Sequence, residues 1–376
     1  MKQLLLIPGP TPVSVEVREA LSRETISHFS QNFASIYKDV HEKMKLLFGT
    51  EHGVPFVIAG SGTLGMEISL TNILDNGENL LVISHGFFGD RFAEIGQSLG
   101  MNVDILSTLS GEHVDLKAVE DKLKEKHYEA ITITHVDTST GVLAQVESIT
   151  KIVRNLSPQT LIVVDGVCAT GGIEEKMDEW GVDVFFTGSQ KAIAIPPGLA
   201  MLAFSSRAIE KRKRIKNVRT YYGDILRWIP VVEDTSKYFA TPAVNMVFAL
   251  QESLNRILDF GLPVYFEKHT LLAKKVRAAM SSLGFELVAK IPAPTLSVFR
   301  YPEGVDDESF RKLLEEKELF VAGGLKDLKG KTFRIGHMGS TEEEDLFLAI
   351  KRILETLEEM GIKVDRGKTL EAFLKS

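Results

Sequence analysis

The chain has 376 residues, 44% of them hydrophobic and 25% charged, and its 44 Lys and Arg against 51 Asp and Glu leave a net charge of −7. That balance belongs to a globular protein of about two domains and excludes collagen-like, disordered and disulfide-stapled classes, while the acidic surplus argues against nucleic acid or an anionic membrane as partner. One cysteine, Cys168, excludes an internal disulfide and a cysteine zinc site, and nine histidines without HExxH or HxH spacing give no support to a metal site.

The chain opens MKQLLLIPGPTPV. Its apolar run is too short for a signal-peptide core, and no later stretch reaches the roughly 18 apolar residues of a membrane span, so the expected location is cytoplasmic. Residues 1–20 read as an extended, proline-rich segment able to pack on either domain. Strand-like runs then follow at Phe56–Ala59, Leu80–Ser84, Val103–Leu106, Ala130–His135, Leu161–Val164, Val184–Thr187 and Leu199–Phe204. Most are continuously apolar, as strands buried on both faces should be. Amphipathic stretches such as Gly65–Leu74 and Val114–Lys126 lie between them. This rhythm predicts an α/β fold with a mainly parallel central sheet and ligands near the strands' C-terminal ends. After Ser205 the pattern changes: helices are expected over Ala243–Phe260, from Pro263 to Gly284 and over Thr341–Met360, with strands at Thr295–Phe299 and Thr332–Ile335. The reading is a large domain over 21–261 and a smaller α+β C-terminal domain over 262–376.

Five places along this layout bear chemistry. In FVIAGSGTLGMEISL, Ser61, Gly62 and Thr63 sit where a strand turns into a helix; a helix N-terminus offers unpaired N–H groups and a dipole to a phosphate, although a plain tight turn explains the same letters. In SHGFFGDR, two glycines bracket Phe87 and Phe88 directly after a strand, so an aromatic ring reaches the ligand edge or is core. In LIVVDGVCATGG, Asp165 ends a strongly apolar strand, where burial demands a cationic partner unless the side chain merely caps the next turn. Lys191, in GSQKAIAIPPG, lies between two apolar runs; desolvation lowers a lysine's pKa and suits it to forming a Schiff base with an aldehyde. The 26 residues from Asp165 to Lys191 place both at adjacent strand ends. Arg334, within FRIGHMG, is placed to grip a carboxylate or to form a structural ion pair. The basic run Lys211–Lys216 reads as a solvated helix face. A held phosphate, a stacked ring, a carboxylate for a pyridinium nitrogen and a lysine for an aldehyde are the requirements of pyridoxal 5'-phosphate.

PGPT (8–11), GSGT (60–63), GFFGDR (86–91), HVDTSTGV (135–142), Asp165-Gly-Val167, GSQKAIAIPPG (188–198) and FRIGHMG (333–339) occur in one order over about residues 4–360. In this the chain resembles class V aminotransferases, specifically the alanine–glyoxylate / serine–pyruvate group, which implies the fold type I architecture and a homodimer with sites at the subunit interface. The resemblance makes Lys191 the catalytic lysine that binds the cofactor and carries the proton. It gives Asp165 the pyridinium nitrogen, Val167 one ring face and Phe88 the other, where relatives often have tryptophan. Ser61, Gly62, Thr63 and Gln190 hold the phosphate, with Thr63 standing where histidine is common. Thr138 falls near the cofactor's 3' oxygen, and Tyr238 and Thr241 reach the neighbouring subunit's phosphate. Arg334 takes the substrate carboxylate, and Gly9 lines the substrate pocket. The segment Ser27-His28-Phe29-Ser30 lacks the arginine often found there. The expected reaction is a ping-pong transfer of nitrogen from alanine or serine to glyoxylate or pyruvate, with no nucleic-acid or membrane partner. The alternatives are a 2-aminoethylphosphonate–pyruvate transaminase and a non-catalytic subunit that keeps the fold.

Overall fold

The computed structural model describes residues 2–376. Its strands are β1 (Leu4–Leu5), β2 (Val54–Ala59), β3 (Asn79–Ser84), β4 (Asn102–Ser107), β5 (Ala130–Thr134), β6 (Leu161–Asp165), β7 (Val184–Gly188), β8 (Leu199–Phe204), β9 (Glu286–Leu287), β10 (Leu296–Arg300), β11 (Leu319–Phe320), β12 (Ala322–Gly323) and β13 (Thr332–Gly336). Seven of them form one sheet in the order β2-β8-β7-β6-β5-β3-β4. All its pairings are parallel except those of β8, which runs antiparallel to both β2 and β7. The sheet is therefore mainly parallel, and the loops after β2, β3, β5, β6 and β7 all leave one edge. Strands β5 to β8 are buried at every position, whereas the residues of β4, at one margin of the sheet, are all exposed or half-buried. Continuous apolar runs mark strands covered by helices on both faces; β4 lacks that cover, whereas β2 at the other margin, also with one neighbour, keeps its four central residues buried.

Two large cores result. One gathers residues from Val17 to Tyr265 around the seven-stranded sheet. The other joins Leu4 and Leu6 to residues from Leu272 to Phe373, around the antiparallel sheet β12-β13-β10-β9. A smaller cluster forms the seam between them, packing Val136, Cys168, Ala169 and Ala192 against Ala293, Leu296, Val298 and Met338. The N-terminal segment enters through the second core, where β1 pairs in parallel with β11. It then crosses to the sheet edge: Gly336 N–H donates to Leu6 O at 2.7 Å, and Thr11 N–H to Gln190 O at 3.0 Å.

The first 20 residues are not extended throughout. Val15–Leu21 is a helix capped by Ser14, whose hydroxyl accepts from Val17 N–H. The stretch expected to start at Gly65 begins at Gly62, with Ser61 as its N-cap residue, so both small polar residues stand at the helix mouth. The basic run is not wholly solvated either: Arg212 is 6% exposed and donates to Asp224 at 2.9 Å and to Ile215 O at 2.9 Å. No helix among the described residues is long and apolar enough to cross a membrane.

Candidate active site

Lys191 lies three residues beyond the end of β7, next to β6, which ends in Asp165. Its side chain is buried and Nζ donates to the carbonyl of Pro8. Thr11 Oγ1 donates to Lys191 O at 2.8 Å, so the N-terminal segment fastens both ends of this residue. Gly9 lies against the lysine stem: a Cβ there would stand 2.6 Å from Lys191 Cδ, and its φ of +116° already favours glycine. Burial pushes the Lys191 ammonium below the usual amine range, and Arg334 pushes the same way against the pull of Asp165 and Asp137.

Asp165 is 3% exposed. Its Oδ1 accepts from Val167 N–H at 2.8 Å, so the turn-capping reading is correct as far as it goes. Burial raises the carboxyl to about 7, with Asp137 and Glu175 adding to the rise and the Val167 N–H and Lys191 opposing it. A carboxyl so placed is short of a cation. The loop behind it is braced by a buried pair: His135 Nδ1 lies 2.9 Å from Glu175 Oε1, and Thr170 Oγ1 donates to Glu175 Oε2 at 2.6 Å.

Val167 closes against the helix that starts at Gly62, where a Cβ on that glycine would approach Val167 Cγ2 to 2.9 Å. The first-turn N–H groups of that helix have no intrahelical acceptor, and Ser61 makes no side-chain cap. The Thr63 hydroxyl accepts from Arg91 Nη1 at 3.4 Å, and the Arg91 guanidinium lies 4.8 Å and 4.9 Å from the ring centres of Phe87 and Phe88. Gln190 is half-buried beside Gly188, against which its side-chain amide packs.

Arg334 stands mid-strand in β13, paired with Val298 and Ala322. Its Nε donates to Gly323 O at 2.9 Å and its Nη1 to Thr138 O at 3.3 Å, across the seam between the two cores. Both acceptors are carbonyls, so the structural ion pair considered for this residue does not form among the described residues. Tyr238 and Thr241 lie in the segment that leads into the helix Val244–Phe260. Tyr238 packs edge-on against Tyr37, Trp228 and His28 with its buried hydroxyl beside that of Tyr37, and Thr241 is exposed.

Sequence reasoning missed Asp137. It is fully buried in the loop after β5, where Oδ2 accepts from Phe88 N–H at 3.0 Å and Gly89 N–H at 3.2 Å. The signal that singled out Asp165, a carboxylate closing an apolar strand, applies equally to Asp137 after Ala130–Thr134. Ser139 and Arg91 were missed too; no spacing rule marks them.

The family model for "Aminotransferase class-V" matches residues 15–338. The chain belongs to the class V aminotransferases. It is 36% identical over 363 residues to alanine–glyoxylate aminotransferase 1 of Saccharomyces cerevisiae, covering 90% of this chain and 92% of that one. It is 30% identical to a serine–glyoxylate aminotransferase of Methylorubrum extorquens over 98% of this chain and 94% of that one. Among solved structures, ureidoglycine–glyoxylate aminotransferase of Bacillus subtilis superposes with a TM-score of 0.96 at 26% identity, over 100% of this chain and 98% of that one. Membership makes the chain an aminotransferase whose cofactor is pyridoxal phosphate.

Proposed function

We propose that this chain moves the amino group of a small amino acid, alanine or serine, to glyoxylate or pyruvate by a ping-pong mechanism, on a cofactor carried by Lys191. The observation that carries the reading is the constellation itself: buried Lys191 and half-buried Arg334, neither in a salt bridge among the described residues, near an Asp165 raised to about 7 by burial. These residues fit pyridoxal phosphate, since Asp165 faces a protonated ring nitrogen with the charge it lacks and the open helix mouth at Gly62 faces a phosphate. When bound, the cofactor supplies an aldehyde that exchanges amines and a ring that accepts electron density from the substrate's Cα.

The protein does the rest. Asp165 holds the proton on the ring nitrogen. Ser61, Gly62, Thr63 and Gln190 hold the phosphate, Phe88 and Val167 cover the two ring faces, and Thr138 takes the 3' oxygen. Arg334 orients the substrate through its carboxylate, with Gly9 shaping the wall beside it. Lys191, its amine made easier to deprotonate by burial and by Arg334, takes the proton from Cα on Nζ and returns it. The chain acts as a homodimer in which Tyr238 and Thr241 serve the neighbour's phosphate; the exposure of Thr241 supports this. The yeast and Methylorubrum relatives, both named for glyoxylate, support the acceptor.

The test is amino transfer to glyoxylate and, separately, to pyruvate, with alanine, serine or 2-aminoethylphosphonate as donor. Alanine or serine should serve. Turnover with 2-aminoethylphosphonate alone would replace this reading with a phosphonate transaminase, and failure of every donor would favour a non-catalytic subunit.

A further inference from the structure

The helix Phe87–Ser98, which carries the ring assigned to the cofactor's face, begins at Gly86, a residue with no side chain to cap it. Its first N–H groups are met from the loop after β5. Phe87 N–H donates to Ser139 Oγ at 2.9 Å, while Phe88 and Gly89 N–H donate to Asp137 Oδ2. The other carboxylate oxygen, Oδ1, accepts from Ser139 N–H at 2.9 Å and from Ser139 Oγ at 2.5 Å. Asp137 therefore receives four hydrogen bonds, with no side-chain cation paired to it among the described residues; the helix N-terminus supplies the compensating field. The fit is close enough to require glycine opposite it, for a Cβ on Gly86 would lie 2.4 Å from Ser139 Oγ and 2.8 Å from Asp137 Oδ1. The neighbouring residue of the same loop, Thr138, is the one whose carbonyl accepts from Arg334 Nη1.

We infer that Asp137 is a positioning residue: by capping the Phe87–Ser98 helix from the β5 loop, it fixes the Phe88 ring against the cofactor and ties that ring to the loop that receives Arg334. This rests on the pyridoxal phosphate reading of the site. It acts through Phe88, and its removal should loosen the cofactor before it loosens the fold. The geometry makes Asp137→Asn a sharp perturbation. The amide has the same shape, but whichever way it turns, its NH2 group faces at least one backbone N–H donor where an acceptor is needed: Ser139 on one side, or both Phe88 and Gly89 on the other.

The experiment is a double-mutant cycle read in cofactor binding: wild type, Asp137→Asn, Phe88→Ala and the double variant, each stripped and titrated with pyridoxal phosphate, with the visible circular dichroism of the bound cofactor recorded alongside. Asp137→Asn should weaken binding about tenfold or more and reduce the circular dichroism per bound cofactor, a signature of ring setting that a merely structural residue would not move. The loss should largely vanish when Phe88 is already alanine. Binding and dichroism like wild type, or losses that add fully in the double variant, would overturn the proposal. Should Asp137→Asn not fold, Ser139→Ala takes its place in the same cycle, where the same losses support the proposal and the same absences overturn it. A wild-type protein that takes up no pyridoxal phosphate would sink the underlying reading, and with it this one.

Discussion

Replacing Asp165 by asparagine should stabilise the cofactor-free protein at alkaline pH while damaging the cofactor site. The carboxyl is raised from 3.8 to about 7 by burial. Its folded form thus holds the proton more tightly than the unfolded chain, so this group's contribution to stability is fully present below pH 3.8 and falls as pH rises through about 7. A shift of about 3 units at 1.36 kcal/mol each amounts to about 4 kcal/mol, of which roughly two thirds falls between pH 5 and pH 8. Asparagine keeps the acceptor for Val167 N–H and carries no charge at any pH. Denaturant unfolding of both stripped proteins at pH 5 and pH 8 measures the difference. Asp165→Asn should gain on wild type by about 3 kcal/mol across that interval, and with saturating pyridoxal phosphate the advantage should shrink or reverse, because the ring nitrogen then supplies the missing cation. Parallel pH dependences in the two stripped proteins, or a variant that loses ground at pH 8, would refute the reasoning.

Two further outcomes follow from the same cluster. Gly9→Ala places a methyl 2.6 Å from Lys191 Cδ at a φ of +116°, so it should cost about 1–3 kcal/mol of stability and slow cofactor uptake, both read on the stripped protein by melting and by absorbance. Arg334→Gln removes the charge that helps hold the Lys191 ammonium down. The pH at which the stripped protein reacts half-maximally with pyridoxal phosphate should therefore rise, and kcat/KM for the amino donor should fall about ten- to a hundredfold through loss of the carboxylate grip. An unchanged pH profile would remove Arg334 from the vicinity of the lysine.

What the sequence could carry depended on whether the signal was local. Val163, Val164 and Phe185 are buried on both faces of the sheet, and a continuous apolar run expresses that directly. The spacing between Asp165 and Lys191 was enough to put them at neighbouring strand ends, although the intervening helix, Met177–Trp180, is only 4 residues long and the rest of that connection is turns. Strand direction has no local signal, and nothing in Leu199–Phe204 announces that β8 runs backwards. Prolines at 8, 10 and 12 masked the helix that begins at Val15. Arg212 looks like its exposed neighbours in sequence and is separated from them only by its turn of the helix toward Asp224. The motif HVDTSTGV was legible as a resemblance, yet only its Thr138 was assigned. The four bonds that define Asp137 come from residues two and about fifty positions away, and only the folded sheet brings them together.

The central claim, that Lys191 carries pyridoxal phosphate for amino transfer, is tested most directly by the visible absorbance of the purified protein and of Lys191→Ala, each saturated with cofactor and then given L-alanine or L-serine. The wild type should show a visible band that bleaches with the donor and returns with glyoxylate, and Lys191→Ala should show no such band. A wild type that shows no band, or a Lys191→Ala protein that bleaches and recovers like it, would contradict the claim.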